Sequence, residues 1–158
     1  MRLFVGIDPG VTTGFAVWDA AGQQFVSVSS DGIVQAMLRL ERMHRAGSLH
    51  SVTFEDARLR TWFGSKGREA LQGAGSIKRD CQIWADWLGH IGCAYQSVSP
   101  KAKGPKVSAE RFRGLTGWQG RTNEHSRDAA MLVIGRRAPQ AIAISAVDAV
   151  SINNLGAP

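Results

Sequence analysis

The chain has 158 residues, 44% of them hydrophobic and 20% charged, with a formal net charge of +6. That composition belongs to a folded globular chain, not a disordered one, and the length fits a single domain over residues 1–158 with its own core. The basic balance points to a polyanionic partner, nucleic acid first among them.

Cys81 and Cys93 are the two cysteines, with eleven residues between them. That is neither a zinc-ligand spacing nor a disulfide framework, so a reducing, cytoplasmic setting is expected. The opening MRLFVGIDPG lacks a signal-peptide body, because Asp8 cuts its apolar run short. No apolar run reaches the roughly 18 residues of a membrane span. The nearest, Ala138 to Val150, contains Pro139, Gln140, Ser145 and Asp148.

Leu3–Ile7 reads as a buried strand, closed by a turn at Asp8-Pro9-Gly10. Gly14–Trp18 and Phe25–Val28 follow as strands, with Ala21-Gly22 between them as a hairpin, so the first three strands form an antiparallel meander. Ile33 to Met43 carries helical spacing, with Asp31 as its expected N-cap and Gly47 as its stop. Ser51–Phe54 is a strand ending at Glu55-Asp56, and Arg58–Lys66 is a loop. Glu69–Leu88 is a long helix, Cys93–Val98 a fifth strand, and Lys101–Lys106 a basic loop. Ser108–Leu115 is a short helix, Trp118–Asn123 a loop and His125–Arg136 a helix, while 151–158 is expected to fray. The result is an α/β architecture, five strands in a mixed sheet flanked by helices.

Asp8 and Glu55 fall at strand ends, and His125 and Asp128 share a helix face at i, i+3. Three carboxylates and an imidazole brought together would suit Mg²⁺ or Mn²⁺. Two such ions about 4 Å apart stabilise both the attacking and the leaving oxygen of a phosphoryl displacement. Each residue also has a plainer reading. Asp8 before Pro-Gly is a turn residue, Glu55-Asp56 a solvated strand end, and Asp128 an acid near a helix start favoured by the dipole.

Val5-Gly6-Ile7-Asp8-Pro9-Gly10 followed by Thr12-Thr13-Gly14 resembles the first catalytic motif of the RuvC-type Holliday junction resolvases. Val52-Thr53-Phe54-Glu55 resembles the second, and Asn123 to Ala130, with His125 three positions before Asp128, resembles the third. The resemblance runs from Arg2 to about Arg137 in the family's motif order. It implies an RNase H-like fold, a homodimer, and metal-dependent paired nicking of four-way DNA junctions, leaving 5′-phosphates and 3′-hydroxyls. It also implies that Asp8, Glu55, His125 and Asp128 are the catalytic, metal-binding set, holding Mg²⁺ (or Mn²⁺), two ions per site. The family carries an aromatic wedge soon after the catalytic Glu; here Arg58 stands there, and the nearest aromatics are Trp62 and Phe63. The compact chain is more similar to bacteriophage members than to host ones.

Arg58, Arg60, Lys66 and Arg68 interleave with Trp62 and Phe63. Such a loop can track phosphates while stacking on an unpaired base, or wedge a junction open. Lys101, Lys103, Lys106 and Arg111, then Arg113 and Arg121, form a second basic stretch suited to phosphate contacts. The plainer readings are a solvated charged face and aromatics anchoring the loop in the core. Trp84, Trp87 and Leu88 read as core packing, with a dimer face as the alternative. His44, His50 and His90 have no constellation around them, and neither cysteine has an adjacent base.

Three alternatives stand beside a resolvase: a broader fork- and flap-cutting nuclease, a non-catalytic junction-binding domain, and an actin-like phosphotransferase. The last shares the Asp-Gly-Thr opening turn but needs a second related domain and nucleotide loop. Neither a nucleotide cofactor nor membrane association is expected.

Overall fold

The computed structural model describes residues 2–60, 68–100 and 104–138, with backbone alone for 68–72. Five strands form one sheet: β1 (Leu3–Asp8), β2 (Thr12–Asp19), β3 (Gln24–Gly32), β4 (Leu49–Glu55) and β5 (Tyr95–Val98). Their order is β3-β2-β1-β4-β5. The first three strands are the expected antiparallel meander, while β4 lies parallel to β1 and β5 parallel to β4. The central position of β1 explains its unbroken apolar run, since both of its faces are covered. The helices are α1 (Ile33–Arg45), α2 (Arg68–His90), α3 (Ala109–Thr116) and α4 (Glu124–Met131). This is an RNase H-like arrangement, a mixed five-stranded sheet between helical layers.

Side chains alternate between the sheet's two faces. Leu3, Val5 and Ile7 pack with Phe15, Val17, Val52 and Phe54 against Ala36 and Leu40 of α1 and Cys81, Trp84 and Leu88 of α2. Phe4, Ala16 and Trp18 pack on the other face with Phe112 of α3 and Ala129, Ala130 and Val133 from α4 and the turn after it. Trp84 and Leu88 are fully buried within the chain, so they are core. His44 Nε2 bonds the Ile91 carbonyl, and the His50 ring packs at a tilt against Phe4.

Four sequence expectations are corrected. Asp31 does not cap α1; Gly32 does, without a side-chain bond, because Asp31 is still in β3 and pairs with Arg39. The segment after β4 is not all loop: Ala57–Leu59 forms a 3-10 turn capped by Asp56. The last strand begins at Tyr95 rather than Cys93, although Cys93 remains buried. The final helix stops at Met131, five residues before Arg136, because its last turn tightens to three-residue bonds (Leu132 N to Ala129 O, Val133 N to Ala130 O) and Gly135 turns left-handed at φ 72°. No helix among the described residues is long and apolar enough to cross a membrane. Residues 141–158, including the C-terminal apolar stretch, lie outside the described residues.

Candidate active site

Asp8 closes β1, and its register partner across the β1–β2 turn is Gly14. The turn itself is held by Thr13, whose hydroxyl donates to the Gly10 carbonyl at 2.8 Å. The Asp8 side chain reaches His125 of α4, with Oδ2 2.9 Å from Nδ1. A carboxylate oxygen only accepts, so Nδ1 carries the hydrogen of this bond. Asp8 is largely enclosed at 13% side-chain exposure, and His125 is half open at 47%.

Two glycines make that contact possible. A side chain at Gly14 would overlap the carbonyl of His125, and one at Gly6 would overlap the carbonyl of Ala129. With only hydrogens at both positions, the α4 backbone lies directly on β1 and β2 and delivers His125 to Asp8. The N-terminus of α4 is fixed by a reciprocal cap. Asn123 Oδ1 accepts from Ser126 N at 2.9 Å, and Ser126 Oγ accepts from Asn123 N at 3.0 Å. Asn123 Nδ2 then donates to Ser30 Oγ of β3 at 2.6 Å. Ser30 pairs with Gly14, which pairs with Asp8, so the helix start is pinned to the same row of the sheet as the carboxylate.

Glu55 ends β4, next to β1. Val52 and Phe54 belong to the α1–α2 side, so alternation directs Glu55 to the α4 side, with Asp8. Its Oε2 is buried. Asp128 is one helical turn beyond His125 and only 7% exposed. Asp8 and Glu55 thus end adjacent strands on one side of the sheet, and α4, which carries His125 and Asp128, packs over that side. Asp8 and His125 are in direct contact. Among the described residues, no three His, Cys, Asp or Glu side chains stand close enough to form a ready-made cation site. The donor chemistry of three carboxylates and one imidazole fits a hard divalent ion.

The reading of a solvated strand end fails for Asp56, while Glu55 is half-buried. Thr13, not Asp8, makes the turn bond to Gly10. Asp56, beside Glu55, is 1% exposed and not solvated. Burial, the largest single effect on the Asp56 carboxyl, acts to raise its pKa. It is outweighed by the side-chain and backbone hydrogen bonds and the charge of Arg58, which hold the carboxyl below its ordinary value of 3.8. Arg58 Nε lies 2.8 Å from Asp56 Oδ1, and Nη2 lies 2.6 Å from Oδ2, a two-pronged pair. Arg58 Nη1 also bonds Gln82 of α2, which in turn bonds Asp86. The guanidinium that the sequence assigns to DNA is thus engaged in fastening the segment after Glu55 to α2.

Among the other basic residues, Lys106 pairs with Glu124, while Arg60 and Arg111 are exposed. Trp62, Phe63, Lys66, Lys101, Lys103 and the side chain of Arg68 lie outside the described residues. Sequence reasoning missed Gly6 and Gly14 as the seat of α4, and Asp56 as a buried acid. The Asn123-x-x-Ser126 spacing was a readable capping signal.

No protein-family model matches the chain, and no curated protein matches it. Among solved structures, it is similar to T. thermophilus RuvC in complex with a Holliday junction substrate, with a TM-score of 0.54 and 17% sequence identity, over 85% of this chain and 92% of that one. The likeness shows the fold, an RNase H-like arrangement shared with that RuvC.

Proposed function

We propose that the chain is a single-domain, metal-dependent endonuclease that resolves four-way DNA junctions by paired symmetrical nicks, acting as a homodimer. The observation that carries the reading is the Asp8–His125 contact, with Glu55 ending the adjacent strand and Asp128 on the same helix as His125. The likeness in fold to a RuvC bound to a Holliday junction supports it, as does the net charge of +6.

In this reading Asp8, Glu55, His125 and Asp128 would hold Mg²⁺ or Mn²⁺. A bound divalent ion supplies charge stabilisation for the attacking and leaving oxygens at the scissile phosphate. His125 orients the Asp8 carboxylate through Nδ1. The enclosure of Asp8 and Asp128 limits competing hydration of their charges, which strengthens their hold on a cation. The cut leaves a 5′-phosphate and a 3′-hydroxyl. Two copies related by a two-fold axis match the symmetry of a four-way junction.

The test is incubation of a labelled immobile junction with the purified protein and Mg²⁺ or Mn²⁺, beside Asp8→Asn. Symmetrical nicks in the wild type, reduced about 10²–10³-fold in the variant, are expected. Binding without cutting under either ion would leave a junction-binding domain. Equal cutting by both proteins would remove Asp8 from the site.

A further inference from the structure

A cleft of about 280 Å³ opens on the α3–α4 side of the sheet, lined by Phe112 and Arg113 of α3 and by Trp118, Gly120, Arg121 and Thr122 of the segment joining α3 to α4. We propose that this cleft is a subsite for the DNA strand flanking the cut, taking a backbone phosphate at the arginines and a base or sugar against Trp118. The proposal rests on the nuclease reading above and extends it to a surface that reading does not use.

Placement is the first argument. The cleft-lining Thr122 immediately precedes Asn123, the cap that is bonded to Ser30 and sets His125 against Asp8. A strand that crosses Asp8 and His125 and runs on past the start of α4 would reach the cleft at its Thr122 edge.

Charge is the second. Arg113 and Arg121 are both exposed, no acidic side chain lines the cleft, and neither arginine takes part in a described salt bridge. Arg58 is tied to Asp56 and Lys106 to Glu124, so these two guanidinium groups are the better placed to receive an anion. Guanidinium pairs bind phosphate in a two-pronged fashion.

Preorganisation is the third. Gly117 ends α3 in the left-handed region at φ 70°. Thr116 Oγ1 then accepts from Trp118 N at 3.1 Å, and Arg127 Nη1 donates to Thr122 Oγ1 at 3.2 Å. Arg127 Nε also donates to the Val107 carbonyl at 2.8 Å. The walls are thus set before any ligand arrives, which lowers the ordering cost of binding. An open cleft of about 280 Å³ would take one unit of a strand splayed from a branch point. The half-buried Trp118 supplies an aromatic surface for a splayed base, a contact that tolerates any base identity.

The experiment measures binding of a fluorescein-labelled four-way junction by anisotropy in EDTA across a salt series, with the wild-type chain, Arg113→Ala/Arg121→Ala, Trp118→Leu, and Arg45→Ala as the control. Arg45 is an exposed residue of α1, on the opposite side of the sheet, paired with Glu41. The double-arginine variant should bind about ten-fold more weakly at ~0.1 M salt, with a salt slope shallower by about 1. Trp118→Leu should lose about five-fold or more with the slope unchanged, and thermal melting shows whether it is folded. Arg45→Ala should match the wild type. If the wild type binds and the double-arginine variant binds equally well, the subsite is overturned and the nuclease reading stands. If the wild type itself does not bind the junction, that reading falls and the subsite with it.

Discussion

The carbonyl oxygen of His125 lies so close to the Cα of Gly14 that no side chain can be added between them. The helix that carries half of the candidate site is therefore seated on a strand by the absence of a methyl group. Gly14→Ala should cost about 1–3 kcal/mol or more in denaturant unfolding, and should reduce cleavage by moving His125 off Asp8. Gly10→Ala is the control, since a Cβ there meets only the Thr12 carbonyl at 3.5 Å, an ordinary contact. Equal effects of the two substitutions would argue against direct seating.

His125 is half exposed, so its removal should spare the fold while impairing the site. His125→Ala should change stability by no more than about 0.5 kcal/mol. Its nicking rate should drop about 10–100-fold, the usual cost of losing a group that orients a ligating side chain. Melting temperature and single-turnover nicking, measured on the same preparation, separate the two effects.

The Asp56–Arg58 pair makes a pH-dependent contribution to stability. The folded carboxyl sits below 3.8, its ordinary value and the one expected in the unfolded chain. The unfolded state therefore binds the proton first as pH falls. Stabilisation from this pair is fully present above about pH 4–5 and is lost as pH falls through the folded value. Unfolding of the wild type and Asp56→Asn, followed from pH 7 to pH 3, should show a stability gap that narrows at the acid end. A gap that stays constant would mean the ionised carboxylate is not what Arg58 recognises.

Both cysteines are free and buried, and burial pushes each thiol up to about 11. Thiolate is the reactive form, so little of it is present at pH 8. A disulfide reagent should modify Cys81 and Cys93 only as fast as the protein opens, and both together once it is denatured. Rapid modification of either thiol in native buffer would contradict their placement in the core.

Trp84 is completely enclosed against the sheet and meets Trp87 edge-on, with ring centroids 5.8 Å apart. Trp84→Ala should cost about 3–5 kcal/mol, comparable to much of a small domain's stability. Trp87→Ala, at a half-buried position, should cost less. A dilution series of melting curves shows whether any part of either loss depends on protein concentration, as a role between subunits would require.

The strands and their order of appearance were readable because each has its own local pattern. The apolar run Leu3–Ile7 and the turn residues after it need no distant partner to be recognised. The paired carboxylates at strand ends were visible for the same reason. What lay beyond sequence reasoning depended on contacts between distant segments. Gly6 and Gly14 look like ordinary strand glycines until Ala129 and His125 arrive above them. Asp56 looks like a solvated neighbour of Glu55 until Arg58 folds back onto it and Gln82 holds that arginine from another helix. Helix ends were misplaced by a few residues where the deciding event was local geometry. Gly32 took the cap position from Asp31, and the last helix tightened after Met131.

The sites on β1 and α4 are 117 positions apart in the chain. Asp8 and Glu55 are made early in synthesis, yet the imidazole and last carboxylate arrive only when the final third of the described chain has emerged. Closing so long a loop is slow and entropically costly, and it needs the sheet to be in place first. A growing or truncated polypeptide ending before residue 124 would hold two acidic strand ends without the helix that organises them. Assembly of the candidate site is in this way deferred to the end of folding, and an unfinished chain holds only half of it.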